Sequence, residues 1–507
     1  MKLTLIPLLL LALFNSAFAQ QINVTISDEL EAGYGPSTIK AGNHFIRYLP
    51  MGSTNHLSYG FGWNKVRLAI TVIQHDSNMV MLQNKSLSNG DRVYGPFFTD
   101  IRKINGKVYI IYHEVQEKNT IGNVMAVEIN PETLEAGTPK IIGAIANTDY
   151  KLKFSESLQN SLKYICKPSP DGKRNLLLLT AGGDSKCFIS VLDENMNVTW
   201  SKLQDISTST DYNFKSACID NSGNVYVAYK ISGPKNDNRV AVIKKEASKP
   251  HDIPLNLNFT ISNMEVFSSK DNKTIHVAGT YMDNPNSSML KGVFHTKIDA
   301  GEFKLAGMTT TAFPDTLIKR FEQDGWGDSR KNIGINPGFS PRFIEKENGV
   351  LNMIGEFRSM VWGTRAAAYI SGDILNVSFE ESGAVFARIP KIRKSMESTI
   401  GDSFVAFPFQ NKVVVFYDDN IVNLNKSITE SPTGSDVYKS LIMAGAIIET
   451  DGTVNRSILI DLKKENYLAV TEYLIPVDAH SMIIPLQKIK GLGGISDKIR
   501  WARIRIN

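Results

Sequence analysis

Apolar residues along this chain come in short runs, each opened by a polar turn, and the 3.6-residue periodicity of amphipathic helices is scarce. One pattern recurs: two or three turn-forming residues, then an apolar or aromatic stretch. It reads Asn105-Gly106-Lys107 before 108–112, Asp171-Gly172-Lys173 before 176–179, and Ser222-Gly223-Asn224 before 225–229. Further copies are Asp271-Asn272-Lys273 before 275–279, Asn348-Gly349 before 350–355, and Gln410-Asn411-Lys412 before 413–417. A weaker one is Ala479-His480-Ser481 before 482–486. Gly, Asn and Asp suit such turns because they accept positive φ or bond their own backbone.

Counted at the second turn residue, the gaps between copies are 66, 51, 49, 77, 62 and 69 residues. A four-stranded propeller blade needs about 40–50 residues, so the tight gaps fit bare blades and the longer ones fit blades with inserted loops. A strand precedes each turn and two more follow it, as in 161–167, 188–192 and 193–200 around Gly172. Four antiparallel, hairpin-linked strands per repeat predict an all-β fold: a single β-propeller of about seven four-stranded blades, with six and eight as alternatives. A pair of β-sandwich domains is the rival architecture. The ring is expected to close through its terminal strands. The alternating C-terminal segment 499–506 is taken to begin a blade that the orphan pair 66–73 and 79–82 completes.

The ends refine this picture. Lys2, the apolar run 3–14 and Ser16-Ala17-Phe18-Ala19 predict a signal peptide cleaved after Ala19, hence a secreted or periplasmic protein. Residues 20–65 read as a polar lead-in and 66–507 as the propeller. No other stretch has the length of a membrane span. A net charge of +5 over 507 residues, with no run of five or more basic residues, argues against nucleic acid as a partner. Three cysteines make no disulfide framework; Cys166 and Cys218 occupy similar places in successive repeats and read as buried thiols rather than a bridge.

Catalytic and cofactor signatures are sparse. His113-Glu114 lacks the second His of a zinc helix, and no nucleophile elbow, Walker loop or dinucleotide fingerprint occurs. Asp220-Asn221-Ser222-Gly223-Asn224 has the residue types of a calcium loop but no bidentate Glu, so it reads as a turn. No cofactor is expected, calcium being unsupported. The element Phe386-Ala387-Arg388-Ile389-Pro390 resembles the Phe/Tyr-Arg-Ile-Pro element of sialidases, which are propeller enzymes. That resemblance implies an arginine clamping a substrate carboxylate. The element differs by its extra Ala and its late position, and no true Asp box follows it. Beyond it, the chain resembles secreted β-propeller proteins at the level of fold.

The longest gap carries an inserted loop at about 309–340, with Trp326 flanked by glycines and by Asp324, Asp328 and Arg330. The next blade adds Arg358 and Trp362. Aromatic faces stack on sugar rings or partner side chains while carboxylates and guanidinium groups fix orientation, so these six residues are the candidate ligand contacts. The expected function is non-catalytic: a secreted binding or scaffolding propeller recognising a glycan, peptide or protein partner outside the cytoplasm. The alternatives are a carbohydrate-active hydrolase or lyase with acids drawn from several blades into the central funnel, and a structural component of an envelope assembly.

Overall fold

The computed structural model describes residues 22–506 apart from 28, 32–36, 53–67, 88–93, 116–120, 147–161, 182–184, 208–211, 232–236, 283–288, 324–338, 363–366, 396–402, 427–429, 434–440, 471–473, 479 and 490–494. The predicted signal peptide thus lies outside the described residues. Eight antiparallel sheets make an eight-bladed β-propeller; six have four strands in chain order, blade 6 adds a short fifth strand, and blade 8 takes its outer strand from the N-terminal segment and carries two short extra strands. Blade 1 comprises Ser37–Ala41, His44–Gly52, Leu68–His75 and Met81–Leu87. Blades 2 to 5 begin at the strands Tyr94–Ile104, Leu162–Pro168, Tyr212–Ile219 and Thr260–Ser268, and blades 6 and 7 at Phe339–Glu345 and Phe404–Phe409. Blade 8 runs outward from Tyr467–Ala469 through Ser481–Ile489 and Ile495–Ile506 to the N-terminal strand Ile22–Ile26. The chain divides into two compact units, one holding essentially blades 1 to 5 and the other blades 6 to 8 with the N-terminal segment.

Eight blades are one more than the recurrent turns suggest, and the additional blade is the first. Its hairpin turns at Gly42, 64 residues before Gly106, inside the supposed lead-in. Gly42 (φ 58°) stands in the left-handed region, as Asn272 (φ 59°) does in blade 5, which is why Gly and Asn hold this position. The strand before Gly42, Ser-Thr-Ile-Lys-Ala, is too polar to declare itself, although His44-Phe45-Ile46 after it follows the usual pattern.

The terminal strands do meet, with different partners from those expected. Ile495–Ile506 pairs with Ile22–Ile26, Ile22 opposite Ile506, whereas 66–73 and 79–82 fall on strands of blade 1. Glu29 fastens this end of blade 8 by accepting from Tyr467 Oη (2.6 Å) and Lys488 Nζ (2.6 Å) and pairing with Lys498 (2.8 Å).

Packing explains why the strands read as apolar runs. Every residue of Leu441–Ile448 in blade 7 is buried. Ile442, Ala444, Ala446 and Ile448 pack with blade 6, while Leu441, Met443 and Ile447 pack with blade 8. A strand covered on both faces has no polar side to alternate with. Adjacent turns are also tied: Asn221 Oδ1 accepts the Asp171 N–H (3.0 Å), Asn272 Oδ1 that of Asn221 (2.6 Å), and Asn411 Oδ1 that of Asn348 (2.8 Å). The turn asparagines therefore do two jobs, setting the hairpin and linking it to the neighbouring blade. Cys166, Cys187 and Cys218 are buried free thiols.

Candidate functional site

The richest constellation of charge lies within blades 6 and 7, beneath one rim. Three features converge at that rim: the far end of the hairpin formed by Leu351–Trp362 and Ala367–Glu380, the start of Phe404–Phe409, and the end of Lys412–Asn420. The blade 6 hairpin is long, its strands 12 and 14 residues, and stays paired out to Trp362 opposite Ala367.

Glu356, fully buried in that hairpin, is the hub. Its Oε1 accepts from the Ser403 N–H (3.1 Å) and Arg358 Nε (2.8 Å). Its Oε2 accepts from Ser403 Oγ (2.5 Å) and faces Lys391 Nζ at 3.3 Å. Lys391 Nζ also donates to Ser403 Oγ. Burial alone would raise the Glu356 carboxyl, but the charges of Lys391 and Arg358 and the two Ser403 hydrogen bonds outweigh it and hold the group below the usual range. Beside it, Asp373 accepts from Arg388 Nε (2.9 Å) and Nη2 (2.5 Å) and from the Lys391 N–H (2.9 Å). These pairs join blade 6 to the first strand of blade 7, and each buried charge has an opposite charge beside it, as burial requires.

Asp419 is the exception. Its Oδ1 accepts from the Asn420 N–H (2.7 Å) and Asn423 Nδ2 (2.7 Å), while its buried Oδ2 has no hydrogen-bond partner among the described residues. Burial pushes this carboxyl up to about 7, against the pull of those hydrogen bonds and of the Lys391 and Arg456 charges. The Tyr417 hydroxyl, two residues back along the strand, is buried as well, with Arg456 beside it.

Of the six expected ligand contacts, Trp326, Asp324, Asp328 and Arg330 lie outside the described residues. The structure does show how the inserted segment begins. After the fourth strand of blade 5 comes a helix, α1 (Asp315–Gln323), and Phe313 just before it packs edge-on against Phe386 of blade 6, ring centres 5.8 Å apart. Arg358 sits partly exposed at the mouth of the charged network. Trp362 is placed by its backbone pairing, at the tip of the same hairpin. The arginine of the sialidase-like element has another occupation: Arg388 is buried and its Nε and Nη2 donate to Asp373, so it is not presented to a substrate carboxylate. Asp220, in the calcium-like turn, accepts from the Ser222 and Asn224 N–H groups, Asn224 Nδ2 and Tyr226 Oη, bonds that serve the turn itself.

Sequence reasoning missed Asp373, Lys391, Ser403 and Asp419. Only Asp418-Asp419, two carboxylates ending an otherwise apolar strand, carried a local signal; the others come together through pairing across strands and blades. Among the described residues, no group of three His, Cys, Asp or Glu is placed to hold a metal, and no helix is long and apolar enough to cross a membrane.

No family model matches this chain, and no curated protein does. Solved structures resemble it. The polysaccharide lyase Uly1 is 11% identical over 95% of this chain and 100% of its own, with a TM-score of 0.37. The WD40 domain of SCAP from fission yeast is 10% identical over 96% and 95%, TM-score 0.37. The β-propeller domain of the Trilobed protease from Pyrococcus furiosus is 10% identical over 85% and 96%, TM-score 0.33. The likeness is one of fold, and fold alone does not carry an activity.

Proposed function

We propose that the chain is exported and acts outside the cytoplasm as a non-catalytic binding propeller, recognising a glycan at the rim that carries the long hairpin of blade 6. The observation that carries this reading is the use of charge beneath that rim. Glu356, Asp373, Arg388 and Lys391 are buried and engaged with one another. Such a network fixes the base of the hairpin, with Arg358 partly exposed at its edge, and leaves recognition to groups beyond it, Trp362 among them. The Trp-containing sequence 321–330 adjoins the same blade in the chain and supplies further aromatic and charged groups of the kind that hold sugar rings.

One observation favours a second reading. Asp419 keeps its proton to about pH 7, the property of a general acid in a glycoside hydrolase or lyase. Its enclosure among buried groups favours a structural role. Incubating the mature protein with poly- and oligosaccharides separates the two readings. Thermal stabilisation that Trp326→Ala or Trp362→Ala removes, without release of shorter products, supports binding. Product release that Asp419→Asn abolishes would replace it with catalysis.

A further inference from the structure

A hollow lies in blade 2, and its walls are built from the sequence upward. Between the strands Ile121–Ile129 and Lys140–Ala146 of blade 2 runs the connection 130–139. Leu134, fully buried, anchors it in the core beneath. Asn130 Oδ1 accepts the Glu132 N–H (2.8 Å), and the backbone closes through Leu134 N–H to Asn130 O (2.9 Å) and Gly137 N–H to Glu128 O (2.8 Å). Blade 1 braces its outer side: Gln74 Nε2 reaches Pro131 O (2.6 Å), Gln83 Nε2 reaches Glu132 O (2.7 Å), and His44 Nε2 meets Glu132 (2.7 Å). On the other side Lys140 Nζ grips the turn of blade 3 at Asn195 O (3.0 Å) and Asn197 Oδ1 (2.8 Å). The connection is fixed from both sides, so the concavity it borders, about 500 Å³ and open to solvent, is preformed. That volume falls in the range of small-molecule sites.

Its polar groups are more informative than its size. Tyr109 and Glu128 are direct cross-strand partners, and the Tyr109 hydroxyl donates to Glu128 Oε2 (3.4 Å), the oxygen that also takes Lys107 Nζ (3.1 Å). Glu128, Asn130, Glu135 and Thr138 bring further polar groups to the lining of the hollow. Acceptors and donors are therefore interleaved around one hollow. Their charges nearly cancel, Glu128 against Lys107 and Glu135 against Lys140. A phosphate would meet two carboxylates, and a purely apolar ligand would strand the polar groups. A ring bearing several hydroxyls, each able to donate and accept, matches the set.

We infer that this hollow of blade 2 is a binding site for a neutral, hydroxyl-rich ring of monosaccharide or disaccharide size, built from other residues than the blade 6 rim. Glu128 and Glu135 accept from its hydroxyls, Asn130 donates, Thr138 does either, and Lys140 ties this edge of the hollow to the turn of blade 3.

The test is saturation-transfer NMR followed by calorimetric titration of the full mature chain with glucose, galactose, mannose, N-acetylglucosamine, maltose and cellobiose. Glucuronate and glucose-6-phosphate serve as charged controls. At least one neutral sugar should bind, with the charged controls at least tenfold weaker. Thr138→Trp, which puts a bulky side chain at an exposed lining position, and Glu128→Gln should each weaken binding at least tenfold with the melting temperature retained. Trp362→Ala should leave that binding unchanged. Absence of binding by every neutral sugar would overturn the inference. So would binding that survives both blade 2 variants, and binding that Trp362→Ala removes would belong to the rim instead.

Discussion

Replacing Asp419 by asparagine should make the protein less sensitive to alkali, and the size of the effect follows from the buried carboxyl. The folded state holds this proton until about pH 7, whereas an unfolded Asp releases it near 3.8. Between those values the folded state binds more protons than the unfolded one, so stability falls as pH rises and the penalty is complete above about pH 7. At 1.36 kcal/mol per pH unit the full penalty is about 4 kcal/mol, and about 2–3 kcal/mol of it accrues between pH 5 and pH 8. The amide introduced by Asp419→Asn keeps the Oδ1 acceptor used by the Asn420 N–H and Asn423 and removes the charge. A chain of this length melts with an entropy near 1 kcal/mol/K if it unfolds as a whole, so 1 kcal/mol corresponds to roughly 1 °C. The difference in Tm, Asp419→Asn minus parent, should therefore grow by about 2–3 °C from pH 5 to pH 8, read by scanning calorimetry at matched ionic strength. Parallel curves for the two proteins would refute the assignment of a neutral buried carboxyl.

Other perturbations test the frame around the site. Lys391→Met leaves Glu356 short of a buried cation and should cost about 3–5 kcal/mol, lowering Tm by a few degrees; adding Glu356→Gln should recover part of that loss. Asn221→Ala removes the acceptor of the Asp171 N–H at a cost of about 1 kcal/mol. Hydrogen exchange should then quicken at the Asp171 amide and stay unchanged at Asn221, whose partner is Asn272. Deleting residues 20–26 removes the outermost strand of blade 8 with its buried Ile22. It should lower Tm by about 3 °C or more, since burying one such side chain is worth about 1.5–3 kcal/mol; an unchanged Tm would contradict that strand's role.

The blade repeat was legible because its turns are local chemistry. A left-handed residue followed by a strand buried on both faces leaves the same short signature at Gly106, Gly172, Gly223, Asn272, Gly349 and Asn411. The first blade escaped because Ser37–Ala41 is half polar and its turn at Gly42 stands among hydrophilic residues. The partner of the C-terminal strand escaped for a different reason: pairing between Ile22–Ile26 and Ile495–Ile506 spans almost the whole chain, and nothing local specifies it. The charged network obeys the same rule. Glu356, Asp373, Lys391 and Ser403 stand up to 47 residues apart in sequence and become one cluster only when blade 6 meets blade 7. Arg388 shows the converse, because a local resemblance to a substrate clamp yields to the buried Asp373 that its own sheet supplies.

The account rests on recognition at the blade 6 rim, and its most direct test is calorimetric titration of the mature protein and its Trp362→Ala variant with the oligosaccharides that raise the parent's Tm. The account predicts saturable binding by the parent, weakened at least tenfold in the variant, with the ligand recovered intact. Equal affinity in both proteins, or recovery of shortened products, would contradict it.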